Sequence, residues 1–130
     1  MPITALYAAL LAVVLLVLSF RVMGARGSTK TSLGDGGHPE LTHRIRAHAN
    51  FAEYTPLCLI LIALAESLHA QPLALHGLGA ALLVGRIAHG YGISQTPQFI
   101  PGRFIGMILT LIVLIAGAGL NLWLALPMVK

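Results

Sequence analysis

Long uncharged stretches alternate with short polar ones along this chain. Residues 1–20 contain no Asp, Glu, Lys or Arg and read ITALYAALLAVVLLVLSF from Ile3 onward. A second stretch, 41–66, is polar in its first half and apolar in its second, which reads PLCLILIALA. A third covers 72–93, and residues 104–129 are again uncharged. Crossing a bilayer takes about 20 mostly apolar residues. Lipid offers the backbone no hydrogen-bond partner, so such segments must be helical. The pattern predicts four spanning helices, at about 2–23, 41–67, 73–93 and 103–126. The predicted fold class is all-α: one integral membrane four-helix bundle covering residues 1–130.

Composition agrees. The chain is 57% hydrophobic and 9% charged, against roughly 25% charged for a soluble domain. So few charges could not cover a water-facing surface, which excludes a soluble enzyme and a disordered chain. The single cysteine, Cys58, excludes an intrachain disulfide. The first apolar run lacks a basic leader and is too long for the core of a signal peptide.

Charge sets the expected orientation. Arg21, Arg26, Lys30, Arg44 and Arg46 flank the loop between helices one and two, and Arg103 and Arg86 flank that between three and four. The turn near Ser67–Pro72 has no Lys or Arg, and only Lys130 lies on that side. By the positive-inside rule both termini are periplasmic and the two basic loops cytoplasmic. The net charge of +4 therefore reports topology and gives no reason to propose nucleic acid. The first loop, GARGSTKTSLGDGGHPE, reads as a connector. Its GDGG has no Lys-Ser/Thr after it and no strand before it, as a phosphate loop requires.

Candidate chemistry lies in the polar residues of the spans. Helix two opens HRIRAHANFAEYTP. Arg46, Asn50 and Glu53 fall at i, i+4 and i+7, one helical face, and His43 extends it by a turn. Arg86 and His89 share a face of helix three, and Arg103 opens helix four. The expected topology puts all of them in the cytoplasmic half. Ionisable groups at this depth pair or line a cavity. A structural clamp needs one acid and one base, whereas this cluster has several arginines for one clear acid, Glu53. The excess calls for an anion, from lipid headgroups or from a ligand, and arginine suits carboxylates. Pro56 reads as a packing kink. Glu66, at the far end of helix two, reads as solvated, and Trp123 as an interface anchor.

Small residues mark close crossings: Gly77, Ala81 and Gly85 on helix three, and Gly102 and Gly106 on helix four with Thr110 one turn on. No metal motif is present. The one conceivable bis-histidine haem site would join His48 and His89, and it requires both rings at one level.

The run RAHANFAEYTP, residues 46–56, resembles the second-helix signature of the MAPEG family, the membrane-associated proteins in eicosanoid and glutathione metabolism. LVGRIAH, residues 83–89, resembles the family's third-helix motif. The length and the four helices fit over essentially the whole chain. The DGG at 35–37 and the C-terminal ending resemble the small bacterial branch, which implies an inner membrane. The resemblance implies a homotrimer that binds glutathione between subunits. Arg46, Asn50, Glu53, Arg86 and His89 match the family's glutathione contacts, and Arg103 matches the arginine that polarises the sulfur. The implied activity is that of a glutathione-dependent transferase or peroxidase. The thiolate would attack a lipophilic electrophile delivered from the lipid bilayer. The alternative is a non-catalytic membrane protein that binds an anionic lipid or regulates a partner. Three positions depart from relatives: Ala49 replaces a second arginine, Ile93 a tyrosine and Phe104 a serine.

Overall fold

The computed structural model describes residues 1–129, so Lys130 lies outside the described residues. The chain forms four long helices: α1 (Pro2–Thr29), α2 (Pro39–Ser67), α3 (Pro72–Ser94) and α4 (Ile100–Ala125). A 3-10 turn, Leu126–Met128, follows α4. All four helices are long and apolar enough to cross a membrane. Each starts with proline in its first turn, where the missing N–H has no intrahelical partner to lose.

The expected spans are present, with two boundaries shifted. Helix α1 continues six residues past the predicted end, to Thr29. Its 28 residues reach about 42 Å at 1.5 Å per residue, more than the roughly 30 Å hydrocarbon layer. Hydropathy marks where α1 leaves lipid and not where it stops. The stop is a left-handed residue, Lys30 at φ 52°. Arg26 then clasps the loop, with Nη1 donating to Gly34 O at 2.9 Å and Ser32 O at 3.3 Å. Helix α4 starts three residues early, at Ile100, so Arg103 sits in its first turn and does not open it.

Helices α2 and α3 form the central pair, each packed on every other helix, while α1 and α4 flank them and do not touch. The tightest seam joins α3 to α4. A Cβ on Gly106 would lie 2.4 Å from His89 N and 2.5 Å from Gly85 O. One on Gly92 would lie 2.3 Å from Arg103 N. Gly85, Gly102 and Gly106 thus serve as expected, whereas Gly77 meets nothing within 4 Å and takes no part. Gly92, near the other end of α3, meets the start of α4 at the seam instead.

Glu66 differs from its expected role. Its carboxylate accepts from the backbone N–H of Ile3 at 3.0 Å and of Thr4 at 2.8 Å, and from the Thr4 hydroxyl at 2.6 Å. It caps the first turn of α1, whose N–H groups have no partner within the helix. A negative charge there also suits the helix dipole. At the same end of the bundle, Trp123 is exposed, as an interface anchor requires. Pro56 lies within α2, which continues through it as one helix.

Candidate functional site

Arg86 is fully buried at the centre of the basic half of the bundle. Its Nη2 donates to Asn50 Oδ1 at 2.6 Å and to His89 Nδ1 at 3.3 Å. Nη1 donates to Thr110 Oγ1 at 3.2 Å. The Thr110 hydroxyl donates in turn to Gly106 O at 2.8 Å, which leaves its lone pairs for Arg86. The guanidinium carbon lies 5.7 Å from the centre of the Phe51 ring, a cation–π distance. Nε is buried with no partner. Among the described residues the buried guanidinium therefore has only neutral hydrogen-bond partners.

This arrangement orients both neighbours. A guanidinium donates and cannot accept. The Asn50 amide must therefore point its oxygen at Arg86 and keep its NH2 free. His89 must accept at Nδ1, so its ring proton sits on Nε2. Asn50 and His89 line a cleft of about 390 Å³ with Ile100, Arg103, Phe104 and Met107. The cleft is thus offered an amide NH2, an imidazole N–H and a guanidinium. Arg103 is exposed, and its Nη1 donates to Gln98 Oε1 at 2.6 Å. Such donors fit a carboxylate or a thiolate.

The polar face of α2 is divided. Asn50 turns inward to Arg86, while Arg46 and Glu53 face each other across 3.6 Å with side chains 54% and 50% exposed. Glu53 is hence paired with Arg46 and makes no ion pair with Arg86. The expected excess of buried guanidinium reduces to Arg86 alone. Arg46 and Glu53 do not line the cleft. His43 also leaves the face and bonds Gln95 O at 3.0 Å and Thr96 Oγ1 at 3.1 Å. His48 bonds Ser19 Oγ at 3.1 Å on α1, whereas His89 lines the cleft against α4, which does not touch α1. The two rings do not face one site, which removes the haem reading.

Two members of the constellation are not legible in the sequence. Thr110 reads as a small residue beyond Gly106, but its acceptor role depends on the α3–α4 crossing. Gln98 lies in the connecting segment, where sequence gives no partner for Arg103. The match to known proteins agrees with the fold. A sequence model described as the MAPEG family matches residues 4–123. Inner membrane protein YecN of Escherichia coli strain K12 is 36% identical over 121 residues, 93% of this chain and 91% of that protein. YecN of Escherichia coli O6:H1 matches to the same extent.

Proposed function

Because the chain belongs to the MAPEG family, we propose that it is a multi-pass protein of a bacterial inner membrane that binds glutathione and activates its thiol against lipophilic electrophiles. One observation carries the ligand part of this reading: the cleft beside the buried Arg86 presents hydrogen-bond donors from Asn50, His89 and Arg103. A donor-lined cleft suits a ligand rich in negative charge.

Glutathione supplies a nucleophilic sulfur, two carboxylates and one ammonium. A free thiol with pKa about 8.5 is mostly protonated at neutral pH. Arg103 is the exposed cation of the cleft, and its charge beside the sulfur favours thiolate. Asn50 NH2 and His89 Nε2–H hold carboxylate or sulfur by donation. Arg86 acts behind them as a positioning residue, fixing the Asn50 amide and the His89 tautomer. Arg46 and Glu53, exposed on the same helix, offer one charge of each sign to the more distant part of the ligand. Their face is the one a neighbouring subunit would cover in a homotrimer. The apolar cleft residues Ile100, Phe104 and Met107 admit an electrophile from the bilayer side.

Calorimetry on the purified protein tests the reading. Glutathione should bind, its analogue lacking the sulfur should bind more weakly, and a chlorinated aromatic should be conjugated in its presence. Absence of glutathione binding, with anionic lipid retained in a manner that Arg103→Leu abolishes, favours the non-catalytic alternative.

A further inference from the structure

The side of the central pair that faces α1 holds two further clefts. Between α1 and α3 runs an apolar groove of about 280 Å³, walled by Val13, Val17, Leu18 and Ile87, with Arg21 and the buried Arg86 also in its lining. Above it, at the basic end, lies a polar cleft of about 400 Å³ lined by Arg21, Glu40, Arg44, Ser94, Gln95 and Thr96. Arg21 belongs to both, so the two meet at its side chain.

Charge in the upper cleft is unbalanced by one. Arg44 pairs with Glu40 and donates to Arg21 O at 3.1 Å. Its Nε is buried without a partner. Among the described residues the Arg21 side chain has no ion pair and no hydrogen bond. One arginine with a free guanidinium and one with an unpaired Nε–H therefore line a single cleft.

Depth says what kind of molecule meets them. Residues 2–20 of α1 are uncharged and rise about 28 Å, close to the thickness of the hydrocarbon layer. Arg21 follows at once and so stands where headgroup phosphates lie. A phosphate ion from solution would use the upper cleft alone. The apolar groove beneath it, opening toward lipid, is explained by an acyl chain joined to that phosphate.

We propose that α1 and α3, with the start of α2, form a site for one anionic phospholipid. Its phosphodiester lies between Arg21 and Arg44, and one acyl chain runs along Val13, Val17 and Ile87. The site shares no lining residue with the cleft at Asn50 and His89, although Arg86, which holds those two side chains, also stands in the wall of the groove.

Native mass spectrometry of delipidated protein, incubated with phosphatidylglycerol or phosphatidylcholine of equal chain length, tests it. One phosphatidylglycerol per chain should be retained in preference to phosphatidylcholine. Arg21→Gln should weaken that retention by about fivefold, the worth of one interfacial arginine against anionic lipid. Val17→Phe fills the groove from a position already half exposed and should also lower retention with Arg21 intact, circular dichroism verifying the fold. Equal retention of the two lipids overturns the proposal, as does an unchanged Arg21→Gln. Displacement by millimolar inorganic phosphate, together with an unaffected Val17→Phe, identifies a free-anion site and overturns it too.

Discussion

Arg86 Nη2 donates to Asn50 Oδ1 at 2.6 Å, and this bond turns the Asn50 NH2 away from the guanidinium. Substitution at Asn50 separates support from binding. Asn50→Leu leaves Arg86 Nη2 short of a partner and should cost about 1–3 kcal/mol of stability. Asn50→Asp gives the guanidinium a carboxylate, so thermal stability in detergent should hold or rise. The same change removes a donor and adds a negative charge to the cleft, so glutathione affinity should fall about ten- to a hundredfold, the worth of a charged hydrogen bond. Parallel melting and calorimetry check both. Equal loss of stability in the two variants contradicts the assigned orientation.

The α3–α4 seam makes a second pair of expectations. Gly106→Ala drives a methyl group against backbone atoms of His89 and Gly85 and should destabilise by about 1–3 kcal/mol, as overpacking does. It should also weaken ligand binding, because His89 moves with the seam. Gly77→Ala enters open space and should leave stability unchanged or raise it by up to about 1 kcal/mol from helix propensity. Thermal unfolding of the two variants in one detergent compares them directly.

Acid should loosen the first loop. Asp35 accepts from Gly37 N–H at 3.0 Å and from the Thr42 hydroxyl at 2.8 Å. The Gly37 N–H first, and then Thr42, hold its carboxyl below the usual carboxylate value. A lowered folded pKa stabilises the fold above the unfolded value of about 3.9. That contribution fades as pH falls through the folded value. Asp35→Asn keeps the shape and removes the titration, so its melting temperature should fall less steeply than the wild type's below about pH 4. Parallel pH profiles for the two proteins contradict this role.

Arg46 and Glu53 stand half exposed on a bundle that meets lipid. Charge at such a surface is costly unless protein or water covers it, and a neighbouring subunit of the proposed homotrimer would provide that cover. Light scattering of the detergent-purified protein, corrected for detergent, should give three times 13.7 kDa. A stable monomer that still binds glutathione contradicts a shared site.

Much of this arrangement is legible in the sequence, and the unread parts have definite physical causes. Spans follow from uncharged length, because the bilayer imposes that length. The shared face of Arg46, Asn50 and Glu53 follows from helical spacing. Its division does not, because whether Asn50 turns inward depends on how α3 sets Arg86 beside it. Glu66 looks like an ordinary interface charge until α1 brings its first turn alongside. The extra turns of α1 are polar, and outside lipid hydropathy carries no signal for helix ends. Gly77 and Gly92 show the limit of spacing rules, since only the crossing point decides which glycine is needed.

On the proposed function, the cleft of Asn50, His89 and Arg103 holds glutathione as thiolate. Near-ultraviolet difference absorbance at neutral pH reads this, with glutathione added to purified wild type and to Arg103→Leu. The wild type should show a thiolate band on binding. Arg103→Leu should lose the band and about ten- to a hundredfold in turnover, for a rise of one to two units in thiol pKa, while binding weakens less. A wild type that binds glutathione without a thiolate band, or an Arg103→Leu variant with the band intact, contradicts the account.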